Sequence, residues 1–261
     1  MYNIIKSLNY NARRDTPIII ALLSMIVLPV FALFIEGGSI EEMTADAFFI
    51  GQLGENFVIT MFVIMVVACR ICGADASDKT INYEFLSGHD RGSIYWARII
   101  AGINWSVIIV MFLSYIPLLF LSLVNGWGQS LDVGNSVARL LLALLPAIRL
   151  SAFLMMITML VRNAGKGIAL GYGFIMVIVI LTSVLQDVFN IDLTWQLAFS
   201  NVMSLLTFTN SRNIVIDGET VAVFDSALSV EVIVGTIIAS LVATFIYTYI
   251  AYAVFKKKDR D

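Results

Sequence analysis

Long apolar runs alternate with short polar connections along the whole chain. A helix that crosses a bilayer needs about 20 mostly apolar residues, because the hydrocarbon core is about 30 Å thick. Six runs approach or exceed this length, and each predicts a transmembrane helix. They cover residues 17–35, 57–72, 99–123, 140–161, 168–185 and 232–255. The pattern therefore predicts an all-α membrane protein with six transmembrane helices, whose membrane domain spans residues 17–255.

Composition supports this interpretation and excludes several others. Hydrophobic residues make up 59% of the chain and charged residues 13%, whereas a soluble domain has about 45–50% apolar and about 25% charged residues. So few charges cannot cover a water-facing surface of this size. A soluble enzyme, a disordered tail and a secreted disulfide scaffold are therefore excluded.

The distribution of basic residues predicts the orientation in the membrane. Most of the 16 Lys and Arg residues lie in four stretches: the N-terminal segment, the loop after the second run, residues 162–166 and the tail 256–261. The other connections collect acidic residues. Because basic residues stay on the cytoplasmic side, we expect a cell (inner or plasma) membrane protein with both termini and the basic tail in the cytoplasm. The first run lacks a small-residue cleavage site, so it is predicted to be a retained helix.

Residues 1–16 carry apolar side chains at helical spacing, namely Ile4, Ile5, Leu8 and Ala12. This spacing predicts a short amphipathic helix that lies along the inner leaflet before the chain enters the bilayer at Pro17. The alternative is a frayed polar tail.

The cytoplasmic loop 73–98 contains a second short helix. Asp78 can cap its start and Gly88 can end it, and Ile81, Phe85 and Leu86 lie on one side of it. Two helical turns are not stable alone. We therefore expect this apolar face to be buried against the lipid surface or a partner protein.

The only long loop on the opposite side covers residues 186–229. Residues 195–208 are apolar enough to lie on the outer surface or to enter the outer leaflet. The two β-prone segments that follow are separated by Asp217-Gly218, a dipeptide typical of two-residue hairpin turns. The sequence predicts a small extracellular hairpin here.

Several kinds of chemistry are missing from the sequence. The six predicted spans contain no Asp or Glu, although ion-driven transporters place carboxylates at membrane depth. The chain has no phosphate-binding glycine loop and no catalytic motif around its single histidine, His89. We predict a chain that is not an enzyme and holds no metal, and whose energy for any uphill transport comes from another polypeptide. The Cys69/Cys72 pair is interpreted as helix packing.

Arg149 is the one charged residue in the interior of a predicted span, since Arg70 lies two residues from the end of the second span, and Pro146 precedes Arg149 by three residues. A charge at membrane depth costs roughly 2.5–3.5 kcal/mol on insertion scales, so Arg149 should face protein or water. Two interpretations remain open. Arg149 either pairs with an outer carboxylate such as Asp187 or Glu231, or contacts an anionic or carbonyl group along a translocation path with Pro146 beside it.

The segment from Asp78 to Arg91, followed by Ile94-Tyr95-Trp96-Ala97-Arg98, resembles the loop between spans two and three of type-2 ABC exporter permeases. In that family an acidic residue precedes Thr-(Ile/Leu)-(Lys/Arg)-Asn, and Ser-Gly, an Arg and Ile-Tyr leading to a basic residue follow. In this chain Asn82 follows Ile81 directly and is itself followed by Tyr83-Glu84, and Arg98 occupies the position where Lys is commoner. The resemblance implies that residues 78–88 form a coupling helix. The implied docking residues for an ATPase are Thr80, Ile81, Asn82, Tyr83, Phe85, Leu86 and Arg91.

The same resemblance implies the partners. They are two copies of a cytoplasmic ABC ATPase, which would bind ATP-Mg, and a second permease copy or paralogue. This chain would then carry no cofactor of its own. Membrane lipid is a further expected partner, and nucleic acid is not. The alternative function is a membrane sensor or immunity protein that binds a ligand without transporting it.

Overall fold

The computed structural model describes residues 1–35, 43–77, 86–189, 197–208, 211–216, 219–224 and 227–257. Its helices, in chain order, are α1 (Tyr2–Ala12), α2 (Thr16–Ile35), α3 (Ala45–Gly51), α4 (Leu53–Ser77), α5 (Arg91–Val110), α6 (Ile116–Val124), α7 (Val133–Val161), α8 (Ala164–Phe189), α9 (Ala198–Leu206) and α10 (Val230–Lys257). A π-helical turn, Met111–Tyr115, joins α5 to α6. Strands β1 (Ser211–Ile216) and β2 (Glu219–Phe224) precede α10.

The fold is that of an all-α, multi-pass membrane protein, and about 83% of it is helical. Within the described residues, five helical segments are long and apolar enough to cross a bilayer: Asn56–Ala74, Arg91–Val124, Val133–Val161, Ala164–Gln186 and Val230–Lys256. The first predicted span corresponds to α2, an apolar helix of 20 residues. Five of the six predicted spans therefore coincide with helices of spanning length.

The core of the bundle is formed by α4 and α7. Two thirds of the most apolar part of each is buried within the protein, against only 11% for α10 and 17% for α8. Helix α7 packs against α4, α5, α8, α9 and α10. The apolar faces of α8 and α10 point away from the protein, as expected for helices at the edge of a membrane bundle.

The helices are longer than the apolar runs that predict them. Helix α4 continues to Ser77 and α5 already begins at Arg91, so the connection between them is shorter than the predicted loop 73–98. Helix α8 likewise extends to Phe189, into the predicted loop 186–229. Apolar runs mark only the hydrocarbon-facing part of a helix, and the backbone hydrogen bonds continue beyond it.

The predicted N-terminal helix is present, but its apolar side faces protein. Ile4, Leu8 and Ala12 are buried against α4 and α5, and Trp105 of α5 donates a hydrogen bond from Nε1 to Asn9 Oδ1 at 3.0 Å. The apolar stripe is thus covered by protein, and the position of α1 along the inner leaflet stays a prediction. The stripe attaches α1 to the bundle, and the exposed Tyr2 and Tyr10 lie on its other sides.

The predicted hairpin is also present. Strands β1 and β2 are antiparallel, with Ile216 opposite Glu219, which leaves a two-residue connection at the Asp-Gly dipeptide. The backbone N–H of Phe224, at the end of β2, donates to the Ser130 carbonyl at 2.9 Å. The hairpin is thereby attached to the loop before α7, as a two-stranded ribbon requires for stability.

Candidate functional site

The predicted docking helix falls mostly outside the described residues. Of its predicted docking residues, Thr80, Ile81, Asn82, Tyr83 and Phe85 are not described, whereas Leu86 and Arg91 are. Leu86 is helical and 81% exposed. Gly88 follows with a φ of +83°, the left-handed conformation with which glycine commonly ends a helix.

The start of α5 closes this segment. Asp90 is the N-cap, and its carboxylate accepts a hydrogen bond from the Ser93 N–H at 2.8 Å. Hydrogen bonds from Ser93 lower the pKa of Asp90, since they stabilise the ionised carboxylate. The connection from Leu86 to Arg91 is thus ordered by a glycine turn and a capped helix.

Arg149 lies in the middle of the bundle and lines a pocket with a volume of about 60 Å³. We call it the Arg149 pocket. It is bounded by α7, α8, α10 and the start of α9, through Arg149, Leu150, Phe153, Ile175, Ile178, Leu197, Ala198, Phe199 and Tyr247. Arg149 is 5% exposed, and its side chain shares a hydrogen bond with the Tyr247 side chain.

The contact with Tyr247 joins the guanidinium to a phenol, and the pairing of Arg149 with an outer carboxylate such as Asp187 or Glu231 stays a prediction. The pocket is lined by one cationic group, one phenol and otherwise apolar side chains. Pro146 is buried in α7 one turn earlier, and the helix continues through it. Pro146 is not among the residues that line the pocket, so only Arg149 of the predicted path pair does so.

The second buried arginine of α7, Arg139, was missed as a site residue because it precedes the apolar run that begins at Leu140. It lies within α7 and is 8% exposed. Its Nη1 donates to the Leu205 carbonyl at 3.0 Å, and its guanidinium sits 4.7 Å from the centre of the Phe208 ring. Leu205 is in the last turn of α9, where carbonyl groups lack helical partners. Arg139 therefore caps the C-terminal end of α9.

Residues around Phe208 form a layer at the same end of α9, which we call the cap layer. It consists of α3, residues 125–132, Phe208 and β2. The Phe208 ring lies 5.5 Å from Phe49 and 6.2 Å from Phe224. No local sequence pattern predicts the cap layer, because its contacts join segments that are far apart in the chain.

Asp46 organises the cap layer. The residue is 2% exposed, and its carboxylate accepts hydrogen bonds from the N–H groups of Ala47 and Ser130. The sequence identified Asp46 only as one of many acidic residues. The bonds to backbone N–H groups show that it fixes the loop before α7 rather than contributing to a general negative surface.

Two further sequence features have structural roles. Arg70, assigned from sequence to the basic side of the membrane, forms a bidentate ion pair with Asp15 at the start of α2. Cys69 and Cys72 are both buried free thiols, in agreement with their interpretation as packing residues. Neither pair lies in the Arg149 pocket.

No protein-family model, curated protein or solved structure matches this chain.

Proposed function

We propose that this chain is the membrane-spanning permease subunit of an ABC transporter, an exporter, driven by a separate ATPase that docks on residues 78–88. In this proposal α2 also crosses the membrane, which brings the number of spans to six. Both termini are cytoplasmic, and two permeases work with two ATPases. The arrangement of basic residues and the loop motif support it. The outer side is then the side of the cap layer.

The exposure of Leu86 is the observation that carries the proposal. A leucine at the end of a helical segment is 81% exposed, between two helices that pack against each other, α4 and α5. Burying a leucine stabilises an association by about 1.5–3 kcal/mol. A polypeptide that covers Leu86 would contact the chain five residues before α5, which packs against α4 and α7 of the bundle.

The test is co-purification with an ABC ATPase of the same organism, co-expressed with this chain and tagged. We expect the double variant Ile81→Asp/Phe85→Asp to lose association by at least about 100-fold, because two apolar contacts are replaced by charges. The matched control is Ile214→Asp/Val215→Asp, which places the same changes at two exposed positions of β1 and should retain association.

Two results contradict the proposal. Association that survives in the Ile81/Phe85 variant would place the docking surface elsewhere. A wild-type chain that binds no ABC ATPase, yet binds ligand, would favour the sensor or immunity protein. Stimulation of ATP hydrolysis by the wild-type chain in vesicles is the supporting functional measurement.

A further inference from the structure

A second pocket adjoins the Arg149 pocket. It has a volume of about 90 Å³ and shares two wall residues with the Arg149 pocket, Ile175 and Phe199. The other lining residues come from α4 and α8 and are Val58, Met61, Phe62, Met65, Tyr172, Met176 and Val179. We call it the methionine pocket. Its walls are almost entirely apolar, and methionine side chains adapt to flexible hydrocarbon.

The two pockets together have the polarity of an amphiphile. The Arg149 pocket offers a guanidinium with five N–H donors in a planar fork, which suits carboxylate and phosphate oxygens. Such a group can hold Tyr247 and an anionic ligand at once. Tyr247 is itself positioned by the Phe153 ring, 5.3 Å away between centroids. The methionine pocket next to it offers only apolar surface.

The depth of Arg149 separates this site from ordinary lipid contacts. Arg149 is thirteen residues before Arg162, the residue that ends α7, which corresponds to about 20 Å along the helix. The hydrocarbon core is about 30 Å thick. With Arg162 at the inner boundary, as predicted, a head group at Arg149 lies about 10 Å inside the outer boundary of the core, deeper than the head groups of the surrounding bilayer lipids.

We propose that the Arg149 pocket and the methionine pocket bind one amphiphile with an anionic head group. The phosphate or carboxylate contacts Arg149 and Tyr247, and the hydrocarbon chain lies along Met65 and Met176. That this amphiphile is the transported molecule rests on the proposed permease function. Binding itself requires only the described residues of this chain.

The test uses native mass spectrometry of the purified full chain with lipids added one at a time. The probes are dioctanoylphosphatidylglycerol, dioctanoylphosphatidylcholine of equal chain length, and decanoate. We expect wild type to bind the phosphatidylglycerol at least about tenfold more tightly than the phosphatidylcholine. Both lipids carry the phosphate, but only the phosphatidylcholine also places a quaternary ammonium cation close to the Arg149 guanidinium. If decanoate binds as tightly as the phosphatidylglycerol, the ligand is a free fatty acid. If decanoate binds more weakly, the ligand is a phospholipid.

Variants show whether the preference for phosphatidylglycerol over phosphatidylcholine depends on Arg149. Arg149→Gln should reduce it to about twofold or less, and Arg149→Lys should keep part of it, because the charge remains. The matched control is Arg212→Gln on the exposed face of β1, which removes a positive charge away from the pocket and should change nothing. Met176→Gln should weaken both phospholipids, because it places a polar group against the chain.

The inference is wrong if wild type binds both phospholipids equally, or if Arg149→Gln and Arg212→Gln behave alike. The first result needs no variant, so it stands even if Arg149→Gln fails to fold. The ATPase-docking experiment is independent of these measurements. Head-group selection without ATPase binding would leave the site intact and overturn the permease proposal, and the reverse result would overturn the site alone.

Discussion

Each end of α9 lies beside a buried arginine of α7, and the surroundings of the two arginines differ. At the C-terminal end, Arg139 is held by the Leu205 carbonyl and the Phe208 ring. At the N-terminal end, Arg149 borders a pocket and contacts Tyr247. The two arginines are ten positions apart, about 15 Å along α7.

This contrast shows that burial of a charge does not by itself indicate function. Arg139 binds a backbone group that would otherwise be unsatisfied, within the tightly bonded cap layer. Arg149 lies beside open volume with apolar walls. The first arrangement stabilises a fold, whereas the second offers donors to a ligand.

Replacing each arginine by methionine should give the largest difference in the free energy of unfolding. Arg139→Met removes a charged hydrogen bond and a ring contact and leaves the Leu205 carbonyl without this donor. We expect it to lower the free energy of unfolding by about 3 kcal/mol. Arg149→Met should change it by less than about 1 kcal/mol, because an apolar side chain of similar length fits the apolar surroundings.

The measurement is unfolding by dodecyl sulfate in mixed micelles. Arg139→Lys serves as the control of charge, and it should recover only part of the loss, since an ammonium group lacks the planar fork. Equal destabilisation by the two methionine variants would remove the distinction between the two ends of α9.

A glycine of the cap layer should give the next largest effect. Gly128 has a φ of +99°, and a Cβ there would overlap the Asp46 carboxylate. Gly126 also has a positive φ, of +81°, but a Cβ there would meet nothing within 4 Å. In both alanine variants the left-handed conformation costs about 1 kcal/mol of folding free energy, and only Gly128→Ala also displaces Asp46.

We therefore expect Gly128→Ala to lower the free energy of unfolding by about 2 kcal/mol or more and Gly126→Ala by about half of that. The same micelle titration measures both. If the two variants were equal, the Asp46 contacts would contribute little, and the cap layer would be less rigid than its bonds suggest.

The sequence predicted the elements of this fold better than their contacts. Five spans and the hairpin follow from apolar runs and one Asp-Gly dipeptide, which are local signals. Arg149 was identified because a charge interrupts an apolar run. Arg139 was missed because the run starts one residue later, and because its partner Leu205 is 66 positions away.

Contacts of this kind depend on how the helices pack, which a single sequence does not encode locally. The same holds for Asp46, whose partner Ser130 is 84 positions away. The methionine pocket had no sequence signal either, since methionines in an apolar helix are ordinary lipid-facing or core residues. The coupling segment shows the reverse case, in which a motif predicts a role for residues mostly outside those described by the structure.

The smallest effect concerns the middle of α9, between the two arginines. Thr236 of α10 donates a hydrogen bond to Asn201 Oδ1 at 3.1 Å, and both residues are fully buried. Thr236→Val removes this bond and leaves the amide oxygen unsatisfied. We expect the free energy of unfolding to fall by about 1 kcal/mol, in the range of interhelical hydrogen bonds in membranes. Thr182→Val is the matched control, because the Thr182 hydroxyl bonds only to its own helix, and this variant should be nearly neutral.

The same variant tests whether the two ends of α9 are coupled. Lower stability of Thr236→Val together with an unchanged phosphatidylglycerol preference would mean that α9 is held at its middle and C-terminal end independently of the ligand. A loss of that preference would mean instead that the position of α9 sets the shape of the Arg149 pocket, and the two ends of the helix would then act as one unit.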